Sequence, residues 1–324
     1  MTLLFQRCIR VLAASVALIL APAALAAYPD SPVRLILPFP PGGPSDIQGR
    51  ALGDQLSRQL GVNVIPDNRP GAGGNFGLEV AAQAQPSGYN IVLSSPTIAI
   101  SPSLYKSLNY NAEKDLTPVA RLTSIENVMV VHPSVPAKTL KEFVALAKSH
   151  RGGINFGSGG AGTTNHLANE MFQHYANIKM LHVPYKGATR AALALISGEV
   201  DEVVVSVPSV MPYIRSGKVR PIAVLSKKRV PQLPQVPTAI ESGFKDFSIS
   251  IWYGMFAPAG TPAEAVSRLS QEITKALNSP TLSKRLTGMG IQPWPGSPQE
   301  LAELVSSEKA RFARLIQVSG IQKR

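Results

Sequence analysis

Cysteine is all but missing from this chain: Cys8 is the only one in 324 residues. It stands ahead of an apolar run in a leader-like segment, so the chain beyond that segment has no disulfide, no thiolate metal site and no cysteine nucleophile. Aromatic residues are also few, at 6%. Binding to single-stranded nucleic acid needs a basic stripe interleaved with stacking aromatics, and the charges here are scattered, with Lys227-Lys228-Arg229 the densest cluster. Nucleic acid is therefore set aside as a partner. Long hydrophobic runs are absent too: beyond the leader-like segment none approaches the roughly 20 apolar residues of a spanning helix.

What is present begins with "MTLLFQRCIRVLAASVALILAPAALA". Arg7 and Arg10 precede an apolar run, Val11 to Leu20, and Ala24-Leu25-Ala26 closes the stretch with a small-x-small pattern. This is the layout of a secretory signal peptide over residues 1–26, and a retained anchor is the weaker reading because the run is short and Pro22 interrupts the residues after it. The expected product is a soluble, exported protein in the periplasm. Without Arg7 and Arg10 there remain 30 Lys+Arg against 20 Asp+Glu, a net charge of +10 that favours anionic partners.

Beyond the leader, short apolar runs alternate with helical periodicity, as in α/β architecture with largely parallel sheets. "VRLILPF" predicts a buried strand, followed by "PPGGPSD" and a helix with Ile47, Ala51, Leu52, Leu56 and Leu60 on one face, for which Ser45 and Gln48 form a capping box. "NRPGAGGN", a short helix, the turn Pro86-Ser87-Gly88 and the strand "NIVLSS" complete one unit. A second unit starts at "NVMVVHP", with a helix capped by Thr139 and Glu142, a strand "INF", a glycine loop and further strands "MLHVPY", "EVVVSV" and "PIAVLS". "SISIWYGMFA" returns as a strand. Thr261-Pro262 with Glu264, and Ser297-Pro298 with Glu300, then predict two terminal helices. The expected organisation is two α/β lobes joined by two crossings, residues 27–126 plus 250–324 and residues 127–249.

Two loops carry the chemistry. "FPPGGPSD" and "NFGSGGAGTT" each lie between a strand and a helix, so each offers backbone N–H groups and a helix N-terminus to an anion. Gly157, Gly159 and Gly162 match G-x-G-x-x-G, but the acidic residue expected about 20 positions on is absent, His182 standing there among apolar neighbours. No G-x-x-x-x-G-K-[ST] occurs. Neutral amide loops suit a carboxylate better than a polyphosphate, although on spacing alone such loops also serve simple strand-to-helix packing. The elbow G-x-S-x-G fails at Ser158, because Phe156 precedes it, and the five histidines include no H-E-x-x-H. Asp201 or His166 as an acid/base is the enzymatic alternative; no paired base and nucleophile stands out, and no cofactor or metal is expected.

Taken in order, "FPPGGPSD", "NRPGAGGNFG", "PSGYNIVLSS", "HVPYKGA", "SGEVD", "IRSGKVRPIAVLS", "VPTAIESG" and "WYGMFAPAGTP" make the chain from Tyr28 to Gly320 resemble the Bug family, the TctC-like periplasmic receptors of tripartite tricarboxylate transporters. The resemblance implies a type II periplasmic-binding-protein fold that closes on a small carboxylated ligand, no catalysis, a monomer, and an inner-membrane permease or a sensor protein as partner. It implies a first half-site of Pro40, Pro41, Gly42, Gly43, Ser45 and Asp46, with Gly73, Gly74 and Asn75 and then Ser94, Ser95 and Thr97. The second half-site would be Gly157, Ser158, Gly159, Gly160, Gly162, Thr163 and Thr164, with His166, Tyr185, Lys186 and Asp201. Three departures from the family pattern stand out: Ser87 in the P-D-G turn, which the turn is expected to tolerate, Pro96 and Ile98 in "SSPTIAISP", and the aliphatic "DEVVVSVPSV". The last two favour a ligand with an apolar or aromatic body.

Overall fold

The computed structural model describes residues 28–149, 153–245, 247–318, 321 and 323. The expected leader, residues 1–26, lies outside the described residues. The chain opens with β1 (Val33–Leu37), α1 (Pro44–Leu60), β2 (Val64–Asn68), α2 (Asn75–Ala82), β3 (Asn90–Ser94), α3 (Thr97–Leu104) and the short α4 (Ala112–Asp115). β1 pairs in parallel with both β2 and β3. Because β1 is covered on both faces, "VRLIL" is apolar at consecutive positions rather than alternating.

β4 (Leu116–Val131) is a single strand of 16 residues, where the sequence pattern predicts a strand only from Asn127. Register shifts at Pro118/Ala120 and Arg121/Thr123 break the two-residue alternation over its first half, which removes the periodicity that identifies a strand. After it come α5 (Leu140–Ser149), β5 (Ile154–Ser158), α6 (Thr164–Ala176), β6 (Met180–Pro184), α7 (Ala188–Ile196), β7 (Glu202–Ser206), α8 (Val207–Arg215) and β8 (Arg220–Val224). β9 (Ser250–Pro258) returns antiparallel, and α9 (Ala263–Asn278), α10 (Pro280–Gly288), β10 (Gln292–Gly296) and α11 (Pro298–Val318) finish the chain.

The strand order β2-β1-β3-β9-β4-β7-β5-β6 makes a two-lobed α/β fold whose sheets share β4. Over Leu116–Glu126, β4 pairs with β9; over Asn127–Val131 it pairs with β7 and β8. The last β4–β9 pair is Glu126 with Ser250, so the two segments that pass between the lobes run side by side. The largest cluster of buried side chains continues across this passage, from Ile36 and Leu78 through Trp252 and Phe312 to Phe143 and Phe172. At about 25 cal/mol per Å² of apolar surface, burial on this scale is the main force holding each lobe together.

The helix starts divide into two groups. At α5, Thr139 Oγ1 accepts from Glu142 N–H at 3.2 Å and Glu142 accepts from Lys138 N–H at 2.7 Å; at α11, Ser297 and Glu300 exchange the same bonds at 3.1 and 2.7 Å. The other two predicted caps do not form. α1 begins two residues earlier than a Ser45 cap requires, with Gly43 as cap residue and Pro44 in the first turn, and Gln48 Oε1 accepts from the Thr123 hydroxyl instead. Thr261 donates its hydroxyl to the Pro258 carbonyl at 2.7 Å, closing the turn after β9 rather than capping α9.

Candidate ligand cleft

Five helix N-termini converge on one cavity of about 360 Å³ between the lobes. From the first lobe come the starts of α1 (Gly43, Pro44, Ser45) and α3 (Ser95, Thr97). From the second come α6 (Thr163, Thr164, Asn165), α7 (Gly187 to Arg190) and, through Ser206, α8. The first N–H groups of a helix have no partner within it, and its dipole makes that end positive, so the cavity is built to receive negative charge.

The β1–α1 loop is held by Asp46, which is buried against it. The Asp46 carboxylate accepts from Gly42 N–H at 3.0 Å, Arg50 Nε at 2.9 Å and Asn68 Nδ2 at 3.0 Å. Burial pushes its pKa up, but the bonds from Arg50, Gly42 and Asn68 outweigh that and hold it below the usual aspartate range. Asp46 thus fixes the loop; its neighbour Ser45 is among the lining residues, with its hydroxyl buried and without a hydrogen-bond partner among the described residues. Pro40, Pro41 and Gly43 also line it, and Gly42, at φ +83°, turns the backbone outside it.

The turn Gly73-Gly74-Asn75 stands behind α3. Asn75 donates to the Ala72 carbonyl at 2.8 Å and accepts from the Tyr110 hydroxyl at 2.8 Å, while Thr97 donates to the Gly73 carbonyl at 3.1 Å. Ser94 bonds the Ser95 carbonyl, and Ser95 bonds Thr97 at 3.3 Å. Of these residues, Ser95 and Thr97 reach the cavity wall.

In the second lobe the glycine loop packs directly on the start of α7: a Cβ at Gly159 would come within 2.9 Å of Ala188 N. Gly160 and Gly162 both take positive φ, and Thr163 caps α6 by accepting from His166 N–H. Ser158 is fully buried; its Oγ bonds His182 Nε2 at 2.7 Å and accepts from Gly160 N–H at 3.1 Å, tying β5 to β6 beneath the loop. His166 is buried behind the loop, its Nδ1 3.5 Å from Gly162 N and its Nε2 3.5 Å from Glu170. Tyr185 donates its hydroxyl to Glu199, and Asp201 accepts from Asn155 N–H at 2.9 Å at the far end of β5. Gly159, Thr163, Thr164 and Lys186 line the cavity; Gly157, Ser158, His166, Tyr185 and Asp201 support the elements that do.

Several lining residues escaped the sequence reading. Thr189 and Arg190 come after "HVPYKG" at the start of α7, and the glycine before that helix was a usable signal. Ile251 and Tyr253 line the cavity from β9, but alternation alone cannot say which face of a doubly buried strand meets a ligand. With Phe39 they make its walls partly apolar. Across the mouth the lobes touch: the Tyr105 hydroxyl donates to the Ala161 carbonyl at 3.0 Å. No group of three or more His, Cys, Asp or Glu side chains close enough to hold a metal ion occurs among the described residues. No described helix is long and apolar enough to cross a membrane.

Residues 49–321 match the model of the tripartite tricarboxylate transporter family receptor. The chain is 36% identical over 293 residues to a Pseudomonas sp. (strain P51) protein, the UPF0065 protein in the tcbD-tcbE intergenic region, covering 90% of this chain and 87% of the relative. Among solved structures it is similar to R. palustris Rpa4515 with adipate, with a TM-score of 0.88, 30% identity and coverage of 92% of this chain and 100% of that one. It is similar also to MatC (Rpa3494) of Rhodopseudomonas palustris with bound malate, with a TM-score of 0.85, 30% identity and coverage of 89% and 100%.

Proposed function

The chain belongs to the tripartite tricarboxylate transporter receptor family, and we propose that it is a periplasmic receptor that closes on a small organic acid and delivers it to an inner-membrane permease. The observation that carries this reading is the convergence of helix N-termini from both lobes on one cavity. Anion contacts drawn from both lobes favour the closed state, because only there are they made together. Adipate and malate in the two similar structures support a carboxylate as ligand. The apolar walls from Phe39, Ile251 and Tyr253 favour a ligand with an aliphatic or aromatic body between its polar ends.

In this reading the lobes are residues 27–126 plus 250–324 and residues 127–249, and the hinges lie where β4 changes partners and where β9 begins. Ser45, Ser95, Thr97, Thr163, Thr164 and Lys186 contact the ligand, with Arg190 on the rim. Asp46, Asn75, Ser158, His166 and Asp201 hold the loops in place. No acid/base pair stands at the cavity, which favours a binding role over catalysis.

Native mass spectrometry on protein taken from the periplasm, followed by a thermal-shift panel of dicarboxylates, aromatic carboxylates, acidic amino acids and nucleotides, tests this. A stabilising carboxylate is the expected result. Stabilisation by a dinucleotide with every carboxylate inert would overturn it.

A further inference from the structure

Both tryptophans of the chain, Trp252 and Trp294, line a second groove, about 1200 Å³ against about 360 Å³ for the ligand cleft. The two cavities lie on opposite faces of the same strand. Along β9, Ile251 and Tyr253 line the cleft while Ser250 and Trp252 line the groove, as alternation requires. Ser206 and Val207 divide in the same way at the start of α8.

The groove takes its walls from both lobes. One side is the segment after β8, Ser226 to Gln232; the other is β10 with Leu304, Glu308 and Arg311 of α11. Its floor crosses the passage between lobes, where the Ser250 hydroxyl donates to Glu126 at 2.5 Å, Trp252 Nε1 donates to Glu308 at 3.3 Å and Arg311 pairs with Glu308 at 2.9 Å. On the walls, Arg229 is paired with Glu241, and Arg121 lies over the Trp294 ring at 4.0 Å while bonding Glu300. The acidic groups of the floor are therefore already engaged. Lys227 and Lys228 are exposed on the rim and form no ion pair among the described residues.

We propose that this groove docks an extended acidic segment of a partner protein, and that its occupancy is coupled to opening and closing of the ligand cleft. The charge left over on the rim is positive, the half-exposed Trp294 offers an indole on one wall, and tryptophan and arginine are the residues that most often anchor protein interfaces. A second copy of this chain is a poor occupant, because its net charge, +10 without the leader, repels the rim. A small anion would leave most of the volume and both indole rings unused. Coupling arises from placement: a rotation that narrows one face of β4 and β9 widens the other, so an occupant spanning both walls favours one lobe separation.

The coupling rests on the proposed receptor function; the docking does not. The test uses the mature protein, with its tryptophan fluorescence as signal, and a short peptide of alternating Glu and Leu, with Gln–Leu and Lys–Leu peptides as controls. The Glu–Leu peptide should bind, more weakly as salt rises, and roughly tenfold better than the Gln–Leu peptide. The double variant K227E/K228E should lose roughly tenfold in peptide affinity while its thermal shift with a cleft carboxylate is unchanged. Equal binding of Glu–Leu and Gln–Leu peptides, no binding, or indifference to the charge reversal overturns the docking. So does displacement of the peptide by citrate through the same lysines, which would make the groove a small-anion site, or self-association that K227E/K228E abolishes. Loading the cleft with a stabilising carboxylate should change peptide affinity severalfold, and an unchanged affinity overturns the coupling. If no carboxylate stabilises the protein, the receptor reading fails, and the peptide titration on the empty protein still decides the docking.

Discussion

Glu202 is the most exposed to pH at the scale of single residues, although it is wholly buried. Neither of its carboxyl oxygens has a hydrogen-bond partner of normal geometry, and the side-chain oxygen of Asn169, on the facing helix α6, is likewise unbonded. Burial pushes the Glu202 pKa well above the usual glutamate value, the neighbouring charge of Asp201 adds to the rise, and Asn169 opposes it. A protonated carboxyl can donate to an amide oxygen, which would settle both groups. Because the folded form holds a proton that the unfolded chain releases, this residue's contribution is complete below about 4.5 and declines as pH rises above it. Glu202→Gln should therefore raise stability at pH 8 by about 1 kcal/mol and change little near pH 4. Melting curves across that range check it; a variant offset that does not change with pH would count against a protonated Glu202. Asp46 has the opposite sign. Its pKa is lowered, so its stabilisation is present above the ordinary aspartate value of 3.8 and is lost as pH falls through the folded value. Asp46→Asn should cost about 1–2 kcal/mol at pH 7, from weakened charge-assisted bonds to Arg50 and Gly42, and the deficit should shrink in acid.

At the scale of elements, helix starts matter most, because the cleft is made of them. The Thr139/Glu142 and Ser297/Glu300 boxes were legible, since a capping box is a local pattern that closes within four residues. Ser45 and Thr261 carry the same local pattern, yet tertiary demands took them: Gln48 is drawn to Thr123 on β4, and the Ser45 hydroxyl is left buried without a partner among the described residues. The two glycine loops were legible as turns between strand and helix, a pattern that also fits simple packing; Ile251 and Tyr253 were not legible as cavity residues, because their facing depends on how two lobes meet. The packing of the glycine loop against α7 gives an element-level test. Gly159→Ala puts a methyl group within 2.9 Å of Ala188 N and so pushes the start of α7 away from the cavity. Stability should fall by about 1–2 kcal/mol, and affinity for the stabilising carboxylate by more than the same change at the exposed Gly153, whose Cβ would meet nothing within 4 Å. Equal affinities for the two variants, read by calorimetry, would show that α7 does not form the ligand wall.

For the whole molecule, the two-lobe plan was legible from the recurrence of strand, glycine loop and helix, whereas the shared strand β4 was not, its bulged first half carrying no clean alternation. That strand makes the lobes continuous in hydrogen bonding, so in the proposed receptor reading their relative motion is a bend at Glu126–Asn127 and near Ser250 rather than a separation of sheets. The opposite edge of the cleft closes by contact between Ala72-Gly73 with Tyr105 on one lobe and Ala161-Gly162 on the other. A Cβ at Gly73 would collide with the Ala161 carbonyl oxygen, and the clash exists only while the lobes touch. Gly73 also has φ +66°, so alanine there costs about 1 kcal/mol in any lobe arrangement. Gly61→Ala separates the two effects, because Gly61 has φ +74° with nothing within 4 Å of its Cβ. Both variants should lose similar stability without ligand. Gly73→Ala alone should lose roughly tenfold in ligand affinity and keep the same scattering profile with and without a saturating ligand, since the closed state is the one it destabilises. A Gly73→Ala protein that compacts on ligand binding as fully as Gly61→Ala would place the closing contact elsewhere on the rim.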